Sequence, residues 1–139
     1  MIPERYAPQL YAVMRIVFGL VFLMYGVQKF GMLGGVDGQG ASAPFLSWPF
    51  GVAGLIEVIV GVLIVIGLLT KPAAFIGAGE MAVAYFMQHL PTAVFPVQNG
   101  GQPAVLFCFA FLYIAARGAG IWSADGARAG SGSASNAAV

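Results

Sequence analysis

Charge is what this chain has least of. Asp, Glu, Lys and Arg make up 8% of its 139 residues, against about 25% in a typical soluble domain. Too little polar surface remains to wrap a soluble core. The net charge of +1 comes from so few groups that no basic stripe exists to neutralise phosphates, which excludes nucleic acid as a partner. There is one cysteine, Cys108, so an intrachain disulfide and a self-contained dithiol relay are both excluded. There is one histidine, His89. It cannot supply the paired Glu-x-x-His motifs of a di-iron bundle, so no metal site and no intrinsic cofactor is expected.

What is abundant is apolar. Hydrophobic residues are 60% of the chain and the mean hydropathy is +0.89. Crossing a hydrocarbon core of about 30 Å takes roughly 20 residues, and the apolar stretches at about 11–31, 51–69, 72–90 and 104–120 have that length. The pattern predicts an all-α integral membrane four-helix bundle with the lipid bilayer as its first partner. The first stretch lacks the short core and cleavage site of a secretory signal, so it is expected to stay in the mature protein. Gly- and Pro-rich loops separate the first two spans and the last two, and the aromatic residues Phe45, Trp48 and Phe50 beside the second span suit a membrane interface. The domain is expected to end near 126, with a disordered Ala-, Gly- and Ser-rich tail over 127–139.

Four spans would put both termini and the Lys71 turn on one side. That side collects Arg5, Lys71, Arg117 and Arg128, with Arg15 just inside it, while the other has Lys29. The positive-inside rule then predicts a bacterial inner-membrane protein with both termini cytoplasmic.

Ionisable groups within spans are expensive, by about 2.5 to 3.5 kcal/mol on insertion scales, and so tend to face the bundle interior. Helical spacing gives their direction. Arg15, Gly19, Phe22, Gly26 and Lys29 share one face of the first span, Gly54, Glu57 and Gly61 one face of the second, and Ala73, Gly77, Glu80 and Ala84 one face of the third. Each charge lies on a small-residue stripe, where helices approach closely. Depth counted at 1.5 Å per residue predicts two clusters. Arg15 and Glu80 would form a buried ion pair toward the cytoplasm, either a staple that sets helix packing or a functional pair. Glu57 would meet Lys29, Gln28, Gln88 and His89 toward the periplasm. Glu57, Lys29, His89 and Gln28 are the candidates for ligand binding or proton handling. His89 also suits a plain interfacial role. Cys108, among phenylalanines, reads as an inert core residue.

The stretches RIVFGLVFLMYGVQKF from Arg15, GLIEVIVGVLIVIGLLTKPAA from Gly54, EMAVAYFMQH from Glu80, FPVQNGG from Phe95 and GAGIWSAD from Gly118 together resemble the DoxX family over about residues 11–126. The resemblance implies a four-helix bacterial inner-membrane protein with cytoplasmic termini. Family members are often associated with redox roles, and a related subunit belongs to a thiosulfate:quinone oxidoreductase. The motif positions it carries over are Arg15, Gly26, Lys29, Glu57, Gly61, Gly67, His89, Gly100, Gly101, Ser123 and Asp125. One departure is Gln102, where the family commonly has Glu after the two glycines, so that loop lacks a carboxylate for a proton or metal role.

The expected function is therefore a membrane subunit of a redox system that meets quinone or a sulfur compound between its helices, with a redox partner protein. Two rivals stand beside it, a small-molecule or proton-coupled carrier and a non-enzymatic membrane scaffold. No catalytic residue, substrate or oligomeric state follows from the sequence, nor does enzymatic activity itself.

Overall fold

The computed structural model describes residues 1–136 and is all-α, with six α-helices among them: α1 (Ala7–Lys29), α2 (Phe50–Ile66), α3 (Thr70–Ala84), α4 (Pro96–Asn99), α5 (Gln102–Arg117) and α6 (Ala124–Asn136). Proline opens three of them, near the first position of α1, α4 and α5, where a missing N–H costs no helical bond. The turn between α2 and α3 runs through Gly67 at φ 68° and Leu69 at φ 49°. Gly67 suits this left-handed cap because it has no Cβ. α3 does not stop at Ala84 but continues as a π-helical turn, Tyr85–His89, a feature frequent at functional sites.

The four apolar stretches of the sequence fall on α1, α2, α3 with its π-helical turn, and α5, with bounds shifted by a few residues. With the short 3-10 turn before it, α1 covers Glu4–Lys29, 26 residues that contain an 18-residue window of mean hydropathy 2.0. Among the described residues it is the one helix long and apolar enough to cross a membrane unaided; α2 and α5 are shorter apolar helices. The chain after Ala124 is helical where the sequence predicts a disordered tail from 127; residues 137–139 of that tail lie outside the described residues.

The helices pack as two pairs. α1 lies against α2 and α3 against α5; α2 touches α3 less, and α1 hardly meets α5. Glycine allows the first pair its closeness. A Cβ on Gly26 would stand 2.7 Å from the Val58 backbone nitrogen, and one on Gly61 would stand 2.7 Å from that of Leu23. Gly54 and Gly61 therefore meet the α1 stripe as its spacing predicts. The second pair joins the first through aromatic rings, with Phe22 of α1 edge-on to Phe111 of α5 at 4.8 Å between centroids. Phe22, Phe111, Ile64 and Ile114 are fully buried. The outward faces are apolar as well: Val13, Val17 and Leu20 on α1, Ile59 and Val62 on α2, Phe75 on α3, and Leu106 and Phe109 on α5 are all exposed.

Candidate functional site

The α1–α2 register brings the last residue of α1 beside the middle of α2. Lys29 Nζ donates to Glu57 Oε2 at 2.7 Å and to Oε1 at 2.9 Å, forming the one ion pair among the described residues. The Glu57 side chain is 3% exposed and that of Lys29 18%. The sequence predicts a cluster of Glu57 with Lys29, Gln28, Gln88 and His89; of these, Lys29 is the one bonded to the carboxylate. Two of the three ammonium donors face the carboxylate, which leaves one free.

Glu80 is elsewhere than expected. The sequence predicts an ion pair with Arg15, but no such contact exists. Glu80 lies about ten residues, or ~15 Å, along α3 from the Gly67–Thr70 turn, and Glu57 lies as far along α2 from the same turn. The two carboxyls are level. Both Glu80 oxygens are buried without a hydrogen-bond partner.

Arg15 is instead fully buried at the turn end of α2. Its Nη1 donates to Ile64 O and to Val65 O, the latter at 2.8 Å, and its Nη2 donates to Trp122 O at 2.7 Å. These carbonyls belong to the last turn of α2 and to the C-terminal segment, so the guanidinium caps one helix end and ties down the other strand of chain. Asp125 completes the knot. Its Oδ1 accepts from Leu69 N at 3.0 Å and its Oδ2 from Thr70 N at 2.9 Å, giving α3 an N-terminal cap from 55 residues away. Slight burial works against its charge, but the Thr70 and Leu69 N–H groups and nearby Arg128 hold the Asp125 carboxyl below the usual carboxylate range.

Between the two helix pairs lies a cavity of about 800 Å³, within the range of ordinary small-molecule sites. Lys29, Glu57, Glu80, Gln88 and His89 bring polar groups to its wall; Phe22, Tyr25, Ile56, Met81 and Phe107 make much of the remainder apolar. Phe50 of α2, and Ile76, Val83 and Met87 of α3 and its extension, line the cavity yet are exposed. It therefore opens sideways, between α2 and α3. Gln28 is not in this group. It points into a separate shallow groove with Met24 and Leu33, because it precedes Lys29 by one residue and so faces about 100° away on the helix.

His89 reaches the cavity from the π-helical turn. Its Nδ1 lies 3.0 Å from Asn99 O; a carbonyl only accepts, so Nδ1 carries the proton and Nε2 of the neutral ring is left as acceptor. Asn99 also closes its own loop, donating to Ala93 O at 2.8 Å and accepting from Gly101 N at 2.7 Å. Tyr85 donates to Val94 O at 2.9 Å and stacks on His89. Sequence reasoning treats the Asn99–Gln102 run as a turn and misses its part in seating His89; it also misses Tyr25, Trp48 and Phe107 as cavity wall. Their signal is proximity alone: Tyr25 is one helical turn before Lys29, and Trp48 stands just ahead of α2. Cys108 is a half-buried free thiol. Among the described residues, no group of three His, Cys, Asp or Glu side chains could hold a metal ion.

The pattern of one family matches residues 10–90, which contain α1, α2, α3, the Lys29–Glu57 pair, Glu80 and His89. The chain belongs to the DoxX family. A DoxX-type stretch thus supplies three of the elements around the cavity, while the Asn99 loop and α5 lie beyond the matched region. The chain is also 39% identical over 130 residues to an uncharacterized protein of Haemophilus influenzae (strain Rd), an alignment covering 88% of this chain and 92% of that one. No solved structure matches it.

Proposed function

We propose that this DoxX-family chain is an integral membrane protein of the bacterial inner membrane, with both termini cytoplasmic, that binds a quinone between its two helix pairs as a subunit of a redox system. The membrane reading draws on the exposed apolar faces of α1, α2, α3 and α5, since monomeric soluble proteins rarely expose continuous apolar patches this extensive. It draws too on the clustering of Arg5, Lys71, Arg117 and Arg128 at one end.

The observation that carries the ligand reading is the sideways-open apolar cavity with the Lys29–Glu57 pair on its wall. A molecule entering between α2 and α3 would come from the lipid phase. It would keep an apolar tail against Ile76, Val83 and Phe50 and offer a polar head to the free Lys29 donor. A quinone has this division, and its carbonyl oxygen is an acceptor. A bound quinone would supply two-electron chemistry; the chain's residues would bind it, orient it and shield it from water. With one cysteine, the chain has no dithiol relay, so a partner protein would deliver or collect electrons.

The test is quinone binding by the purified protein, read through quenching of Trp48, which lines the cavity. Saturable quenching that Ala53→Trp abolishes is expected, because Ala53 is a small residue on the cavity wall. Quenching that is non-saturable, or indifferent to Ala53→Trp, overturns the reading. A second reading, a small-molecule or proton-coupled carrier, draws on the sparse contact between the helix pairs, across which one pair could rock against the other. Solute flux in reconstituted vesicles would favour it over the redox reading.

A further inference from the structure

The Glu80 carboxyl is a polar group on the cavity wall whose buried oxygens the protein leaves unserved. Both of its oxygens are buried and neither has a partner among the described residues. Leaving such a group unpaired costs free energy. Nothing holds the carboxyl in place by hydrogen bonding, and Glu80 already lines the cavity. Its oxygens are covered while the residue as a whole is only half-buried, so rotation about its own side-chain bonds is enough to turn an oxygen toward the open space.

An ionised carboxyl accepts at both oxygens, while a neutral one accepts at its carbonyl oxygen and donates from its O–H; a head group that both donates and accepts therefore serves it in either form. Level with it across the cavity is Glu57, whose ion pair uses two of the Lys29 donors and leaves the third in need of an acceptor. A hydroxyl offers both, a proton for Glu80 and an oxygen for Lys29. The Lys29 ammonium on this wall is already paired with Glu57, so no uncompensated cation is left there for an anionic phosphate head.

We infer that the cavity selects a lipophilic molecule with a hydroxyl head, of quinol or phenol type, and that Glu80 is the residue that accepts the hydrogen bond from that hydroxyl. This rests on the cavity being a ligand site, as proposed above, and adds which form of ligand it prefers and which side chain decides it.

The experiment compares three probes by calorimetric titration into the purified full chain in mild detergent: a decyl-substituted benzohydroquinone, its dimethyl ether, and the corresponding quinone. The ether keeps the ring and tail of the hydroquinone but carries two methyl groups in place of its donors, so the comparison is read against the same pair in Glu80→Met. The hydroquinone is expected to bind roughly tenfold tighter than the ether, the ratio given by one hydrogen bond of about ordinary strength. Glu80→Met should erase that preference, and Glu80→Gln, which keeps an accepting oxygen, should retain part of it. Glu80→Met removes a buried unpartnered group, so it should fold at least as well as the parent. Equal binding of all three probes, unchanged in Glu80→Met, overturns the role of Glu80 and leaves the cavity as a ligand site. Failure of all three to bind overturns both.

Discussion

Removing Lys29 should harm the protein more than removing Lys29 and Glu57 together. The pair joins α1 to α2 through two short bonds, with the Glu57 side chain almost wholly sealed and that of Lys29 mostly so. Breaking a buried pair on one side typically costs about 3–5 kcal/mol, because an uncompensated charge stays behind. The partial exposure of the Lys29 ammonium puts Lys29→Met at the low end of that range, about 3 kcal/mol. In the double variant Lys29→Met with Glu57→Met, apolar side chains of similar length fill the same space and no charge is left. Its stability should return to within about 1 kcal/mol of the parent, or exceed it, as replaced buried pairs often do. Reversible unfolding in mixed detergent and SDS micelles, followed by fluorescence, measures all three variants. A single variant within about 0.5 kcal/mol of the parent would show that the pair is effectively solvated. A double variant as unstable as the single one would show that the loss arises from packing and not from an orphaned charge.

Three further outcomes follow from other parts of the fold. Gly61→Val should destabilise by at least about 1–3 kcal/mol, the usual cost of overpacking, since its Cβ would press on Leu23 backbone atoms that cannot give way; the same unfolding assay reads it, and a neutral result would mean that α1 and α2 are not in close contact there. Arg15→Met should cost several kcal/mol by stranding the Ile64, Val65 and Trp122 carbonyls, and protease cleavage after the α5 segment should quicken as the C-terminal segment comes loose. Asp125 titrates below the ordinary carboxylate range, so its contribution is complete above that range and fades as pH falls through it. Stability measured from pH 7 down to 3 should therefore drop more steeply in the parent than in Asp125→Asn, and parallel curves would remove Asp125 as the α3 cap.

Much of the site is legible from spacing alone. Gly26 and Lys29 are three residues apart on one helix, and Gly54 and Glu57 repeat that step on the next, so close packing of the glycines puts the two charges together. The Arg15–Glu80 pairing fails for a reason that is also in the sequence. Once Lys29 meets Glu57, walking fourteen residues back along α1 means walking about as far forward along antiparallel α2, which lands Arg15 at the Gly67–Lys71 turn rather than beside Glu80. Counting depth from the ends of apolar stretches conceals this, because α1 has 23 residues and α2 has 17 and α1 overhangs its partner. Depth alone puts Gln28 beside Glu57, but its helical direction differs from that of Lys29, and one residue is enough to turn it out of the cavity. The cavity itself is not legible. It arises from the unequal packing of two helix pairs, a tertiary fact that no single helix face records. The Asp125 cap is likewise a contact over 55 residues, beyond the reach of local signals such as those that mark ordinary caps.

The most direct test of the central claim is photoaffinity labelling with an azidoquinone in native membranes, followed by peptide mapping. Binding in the cavity between the helix pairs predicts labels confined to its wall, on α2 near Ala53 and Ile56 and on α3 near Val83 and Met87, competed away by unlabelled quinone and lost in Ala53→Trp. Labels spread along the outward faces of α1 and α5, undiminished by competitor, would contradict it.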